Sequence, residues 1–211
     1  ASSSSTAAPS IWSDKTWSEL DGLSSVLKDS LTDNFGDDSK LTEVQALTFD
    51  VISSGRRDCL LRAHTGTGKT LAFLVPLLER LSALEKLAGS DDPVERQEYA
   101  EKVASSMGIF ALLVVPSREL ALQVFEVAER LTEMHWIRAS FLIGGRNVGE
   151  DLQRLKVDRP HVLVCTPGRL VHHLQSTPGF VNMVQPGVLV FDEVDRLLGM
   201  GYVAQVDFIL R

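Results

Sequence analysis

Ala63-His64-Thr65-Gly66-Thr67-Gly68-Lys69-Thr70 is the stretch that decides how this chain folds. It follows a short apolar run, "DCLLRA", and opens a helical pattern from about Lys69 to Leu87. That strand–loop–helix setting is the one a phosphate-binding loop requires. Glycines let the backbone wrap closely around an anion, and their amides point at it together with the helix N-terminus. Lys69 is spaced to reach the β and γ phosphates of a nucleotide, and the Thr70 hydroxyl to ligate Mg2+. The alternative is a glycine-rich turn without a ligand; Gly-Lys-Thr in this setting argues against it. His64 reads as a filler of the loop and not as a catalyst.

Far along the chain, "VLVFDEVD" (Val188 to Asp195) is an apolar strand that ends in acids. A phosphate-loop hydrolase needs such an acid at a strand tip to hold Mg2+, and Asp192 fits that role. Glu193 fits the general base that activates the attacking water. Asp195 belongs to the first turn of the following helix, where an acid also suits the helix dipole. Acids there could serve only as a cap and first-turn charges. Together with the loop, they favour hydrolysis of ATP or GTP, with Lys69, Asp192 and Glu193 as the catalytic set.

Outward from these two segments the pattern alternates. Leu20, Leu23, Leu27 and Leu31 predict a helix from Trp17 to Phe35, and Thr42 caps a second helix through Ile52 that ends at Gly55. "DCLLRA", "IFALLVVP", "IRASFLIGG", "HVLVCTP" and "GVLVFDE" read as short buried strands. Helices are expected from Ser117 to about Glu133, from Gly149 to Leu155 and from near Asp195. The polar stretch 89–108 reads as a surface excursion that Pro93 could open as a short helix. Strands alternating with helices imply an α/β fold, a parallel sheet with helices on both faces.

The 211 residues are 44% hydrophobic, ample for one large core and marginal for two. The expected organisation is a Ser/Ala-rich disordered arm over 1–16 and one domain over 17–211. A net charge of −7 argues against a simple nucleic-acid-coating protein. The segment from Arg138 to His173 is nevertheless locally basic. Cys59 and Cys165 lie in apolar runs and are expected to be buried, reduced thiols on strands, without a metal site and in a reducing compartment. No apolar run approaches the length of a membrane span, so no membrane partner is expected. The opening lacks the features of a signal peptide.

From about Trp17 to the end the chain resembles the first RecA-like, phosphate-loop domain of DEAD-box RNA helicases. That family writes its loop Ala-x-x-Gly-x-Gly-Lys-Thr, as Ala63 to Thr70 stand here. Its acidic tetrapeptide corresponds to Asp192-Glu193-Val194-Asp195, with an apolar Val where Ala is usual. "PSRELALQ" (Pro116 to Gln123) resembles motif Ia, Gly144-Gly145 the double-glycine motif, and "TPGRL" (Thr166 to Leu170) motif Ib. The resemblance implies an ATP-dependent RNA helicase that uses ATP and Mg2+. It implies RNA-backbone contacts at Pro116, Ser117, Arg118, Gly144, Gly145, Thr166, Pro167, Gly168 and Arg169. It also implies an adenine site at Gln45, whose amide can donate and accept, with Trp17 where a stacking Phe is usual. Leu41 replaces a usual Pro, and "DDSK" lengthens the run from Phe35 to Gln45, which weakens the adenine reading.

The family's Ser-Ala-Thr motif and its second RecA-like domain, which supplies arginines to the γ-phosphate, are expected to lie outside these 211 residues. Such arginines are worth roughly 10³–10⁵ in rate. The alternative function is a weakly active or inactive scaffold in a ribonucleoprotein assembly, such as the ribosome. A different phosphate-loop ATPase is disfavoured by "PSRELALQ" together with "TPGRL". For localisation the mitochondrion, nucleus and nucleolus stay open, with a lean towards mitochondrial splicing helicases.

Overall fold

A computed structural model describes residues 11–88, 94, 108–133 and 135–211. They fall into two compact units, residues 1–80 and 81–211. Of the arm and the 89–108 excursion, residues 1–10, 89–93 and 95–107 lie outside the described residues.

In the first unit, β1 (Trp12–Thr16) pairs antiparallel with β2 (Lys40–Thr42), so residues 12–16, expected to belong to the disordered arm, form a strand. The helix expected over 17–35 starts later: α1 runs Ser25–Phe35. Trp17 to Ser24 form turns, with Gly22 at φ +81°. The leucines that suggested a helix still face inward, because Leu20, Leu23, Leu27 and Leu31 are all buried. Tight turns bring apolar residues to one side as well as a helix does.

Helix α2 (Glu43–Ser54) follows its sequence signals closely. Thr42 caps it, accepting from the Gln45 backbone N–H, while the Gln45 side chain accepts from the Thr42 N–H. Gly55 closes it in the left-handed region. Helix α3 (Lys69–Ala88) contains Pro76. Proline has no N–H for the carbonyl four residues back, which is Ala72. The Thr48 hydroxyl of α2 lies 3.1 Å from that carbonyl and 2.7 Å from the Val44 carbonyl of its own helix, so the two share its one proton.

The second unit holds a four-stranded parallel sheet. Its strands are β3 (Ile109–Val114), β4 (Ala139–Leu142), β5 (Val162–Cys165) and β6 (Val184–Phe191), in the order β4-β5-β3-β6. Side chains alternate across it. Leu112, Val114, Leu142, Leu163 and Cys165 pack with residues of α5 (Val148–Asp158), α6 (Pro167–Ser176) and α7 (Phe180–Met183). The opposite face is covered by α4 (Arg118–Thr132), where the Phe125 and Phe141 rings meet edge-on at 4.9 Å. The chain then turns through α8 (Val194–Gly199) into α9 (Val203–Leu210). The expected parallel sheet with helices on both faces is therefore present.

Two expectations are corrected. "DCLLRA" forms no strand: no ladder joins it among the described residues, and Leu60 is 94% exposed. An apolar run becomes a strand only where a neighbour takes up its backbone groups. Cys59, in that run, is accordingly exposed and not buried. Cys165 is buried as expected, and burial pushes its thiol pKa up.

His161, at the entry to β5, accepts a hydrogen bond at Nδ1 from the Arg138 N–H, and its ring meets Trp136 edge-on. Burial, reinforced by the Arg138 charge, lowers its pKa from 6.5 to about 4. The unfolded chain therefore takes up a proton that the folded chain resists, and stability is lost as pH falls from about 6.5 to about 4. Thermal melts across that window should show a falling midpoint, with a shallower fall for His161→Gln. Equal slopes would remove His161 from the acid sensitivity.

Candidate functional site

The phosphate loop belongs to the first unit. Gly66 and Gly68 both take left-handed backbone, φ +81° and +79°, which side-chain-bearing residues rarely adopt. The Lys69 ammonium donates to the Ala63 carbonyl at 3.0 Å, and the Thr67 hydroxyl to the His64 carbonyl at 2.8 Å. Thr70 sits in the first turn of α3, and His64 and Thr65 are exposed. A concave backbone with glycine amides, a lysine and a helix start is a donor set that fits nucleotide phosphates.

Both residues expected to contact adenine are engaged within the protein. Trp17 is 6% exposed and serves as a core anchor. Gln45 is buried; its oxygen accepts from the Thr42 N–H at 2.8 Å, and its amide nitrogen donates to the Gly68 carbonyl at 3.1 Å. Gln45 thus ties the start of α2 to the phosphate loop. Thr42-x-x-Gln45 is a capping-box pattern, and that signal could have foretold this role.

The remaining candidates lie in the second unit, along one edge of the sheet. Leu142, Cys165, Val114 and Phe191 end their strands in a single register: Leu142 pairs with Cys165, Val114 with Cys165, and Val114 with Phe191. From that row leave Gly144-Gly145, Thr166 to Arg169, Pro116 to Arg118, and Asp192-Glu193. The register continues one step further, with the Thr166 N–H on the Leu142 carbonyl, Val115 on Cys165, and Asp192 on Val114. Open parallel sheets bind their ligands outside this carboxyl end.

Each loop has a local reason for its shape. Ser117 caps α4 by accepting from the Leu120 N–H at 3.1 Å, which sets Arg118 at the first helical position, exposed. The Arg118 guanidinium lies across the two glycines: a Cβ on Gly145 would stand 2.5 Å from its Nη1. Gly145 also has φ +82°, so this turn needs glycine on two counts. Arg118 makes no hydrogen bond or ion pair among the described residues. Arg169 differs, because its Nε donates to Asp151 at 2.6 Å and its Nη2 to the Arg146 carbonyl at 2.5 Å. Pro167 opens α6 at a position where its missing N–H costs nothing, and Gly168 is exposed beside it.

At the acidic end Glu193 has left-handed backbone, φ 49° and ψ 51°, uncommon for a residue with a side chain. Its N–H is held by the Asp192 carboxylate at 2.9 Å, and its own carboxylate by Arg196 at 2.7 Å. Strained backbone of this kind gathers at functional positions. Asp195 is exposed in the first turn of α8.

Residues 42–211 match the family model described as DEAD/DEAH box helicase. The chain belongs to that family. It is 41% identical over 172 residues to the ATP-dependent RNA helicase DBP4 of Chaetomium globosum. The match covers 81% of this chain and 18% of that relative. The DBP4 protein of Sclerotinia sclerotiorum is also 41% identical, with 19% of its length covered. The chain thus spans about a fifth of these relatives.

Among solved structures, the DEAD-box helicase Mss116 bound to single-stranded RNA and UDP-BeF superposes with a TM-score of 0.73 at 28% identity. That superposition covers 90% of this chain and 34% of that one. The yeast DEAD-box splicing factor Prp28 gives 0.73 at 28%, covering 92% of this chain and 42% of that one. The fold is the RecA-like one of this family. The lean towards mitochondrial splicing helicases is not supported, since the relatives at about 40% identity carry the DBP4 name.

The double-glycine turn yields a direct test. Gly145→Ala must strain its backbone and displace Arg118, at a cost of roughly 1–3 kcal/mol. Gly168, with no heavy atom within 4 Å of an added Cβ, should tolerate alanine. Urea titrations should lower the midpoint for Gly145→Ala alone. Equal midpoints would show that the turn relaxes freely.

Proposed function

We propose that the full-length protein is an ATP-dependent RNA helicase and that these residues form its first RecA-like half. The observation that carries this reading is the in-register row of loop exits, with Arg118, which makes no hydrogen bond or ion pair among the described residues, beside the double glycine. In this reading Ala63 to Lys69 wrap the phosphates of ATP, and Lys69 leaves the Ala63 carbonyl to reach the β and γ oxygens. Thr70 in one unit and Asp192 in the other are the residues whose chemistry suits Mg2+, which would neutralise charge that builds on the phosphates. Glu193 takes the proton from the attacking water, and Asp195 completes the acidic end.

RNA lies along Pro116 to Arg118, Gly144-Gly145 and Thr166 to Arg169. Contacts to backbone amides and to the Arg118 guanidinium read phosphate and not sequence. The RNA partner is therefore a backbone of any sequence, and a second RecA-like domain completes the cycle. The internal engagement of Gln45 and the burial of Trp17 favour weak discrimination of the base. They keep a second reading in view, an ATP-gated scaffold in a ribonucleoprotein assembly. A nuclear or nucleolar setting, left open by the sequence, accompanies either reading.

ATP turnover by the full-length protein, with and without RNA, separates the two. RNA should stimulate turnover, and Glu193→Gln should lower it by roughly 10²–10⁴. Turnover no higher than that of the variant, with RNA still bound, would favour the scaffold.

A further inference from the structure

Asp151 lies in the first turn of α5 and its side chain is completely buried. A buried carboxylate is costly unless cations and hydrogen bonds surround it. Here its Oδ1 accepts from Arg154 Nη2 at 2.8 Å, and its Oδ2 from Arg169 Nε at 2.6 Å. His173 Nε2 stands 3.3 Å from the same Oδ2, and the other ring nitrogen of His173 meets the Thr177 hydroxyl at 3.0 Å.

The two arginines reach onward. Arg154 donates to the Phe141 carbonyl at 2.6 Å, and Arg169 to the Arg146 carbonyl at 2.5 Å. The Phe141 carbonyl lies in β4, three residues before Gly144, and the Arg146 carbonyl directly follows Gly145. The turn has no side chains with which to hold itself, and the Arg118 guanidinium rests on it. One carboxylate therefore fixes both shoulders of the surface on which the exposed cation lies.

We propose that Asp151 is a positioning residue for RNA: through Arg154 and Arg169 it fixes the double-glycine turn, so that Arg169 is a strut and Arg118 is the phosphate contact. This rests on the reading of that edge as the RNA site. Arg169 comes from motif Ib and by its charge alone resembles a phosphate ligand. Its Nε and one Nη are nevertheless already committed, and its side chain is 10% exposed. Arg154 and Arg169 are thereby turned onto Asp151, Arg146 beside the turn lies over the Phe141 ring, and the phosphate contact is assigned to Arg118.

Salt dependence distinguishes a strut from a contact. Each phosphate neutralised on a single strand contributes about 0.7 to the slope of log K against log salt. The test is equilibrium binding of a fluorescent single-stranded RNA to the full-length protein, with a non-hydrolysable ATP analogue, over a series of KCl concentrations. Arg118→Gln should lower the slope by about 0.7. Asp151→Asn and Arg169→Gln should weaken binding by roughly tenfold with the wild-type slope, while affinity for the ATP analogue stays unchanged. Arg169→Lys keeps the charge but not the forked geometry, and should weaken binding as the Gln variant does.

A slope that drops for Arg169→Gln, or wild-type binding by Arg169→Lys, would make Arg169 a direct contact and overturn the assignment. Unchanged RNA affinity in Asp151→Asn would do the same. So would a parallel loss of affinity for the ATP analogue, which marks a role in holding the fold. Absence of RNA binding by the wild-type protein would overturn the RNA reading itself, and this assignment with it.

Discussion

The backbone ladder that runs from β4 through β5 and β3 to β6 is the constraint from which the second unit follows. Parallel strands exchange evenly spaced hydrogen bonds, so a shift of one residue would turn every side chain to the other face. Here that shift would take Leu112, Val114, Leu163 and Cys165 together out of the cluster they share on one face. The core therefore holds the register, and the register aligns the four strand ends. The chemistry proposed for this edge depends on that alignment more than on any single loop.

Connections then convert alignment into function. Each loop leaves the row and turns almost at once into a helix, capped by Ser117 or Asn147 or opened by Pro167. Short, capped exits leave little freedom for the side chains they carry. The exception is the double-glycine turn, which lacks side chains and is held by arginines from α5 and α6. A buried ion cluster of this kind contributes little net stability against an apolar equivalent, and its value lies in geometry.

Much of this was legible in the sequence because the motifs lie where strand ends meet helix starts, and both leave local signals. Thr42 and Gly55 marked α2 through their capping chemistry, and the apolar runs marked β3 to β6. Two failures share a cause. The leucines of 17–24 and the run "DCLLRA" are apolar in the right pattern, yet the leucines are buried in turns and Leu60 of the run stays exposed, because pattern names only the residues suited to burial. Whether they are buried, and in a turn, a helix or a strand, depends on partners distant in the chain. Asp151 was missed for the opposite reason. An acid three residues before an arginine on a helix reads as a solvated pair, and no local feature tells of Arg169 and His173 arriving from α6.

The hydrogen bond from Lys69 to the Ala63 carbonyl has a consequence for what the phosphate loop will accept. One of the three N–H groups of the ammonium already has a neutral oxygen in place of water. An incoming ligand must offer it something better, since trading one neutral carbonyl for another gains almost nothing. A charged phosphate oxygen does offer more, because direct Coulomb attraction to the ammonium then adds to the hydrogen bond. The resting loop therefore acts as its own competitor, a filter that sets a threshold of negative charge before any shape is tested.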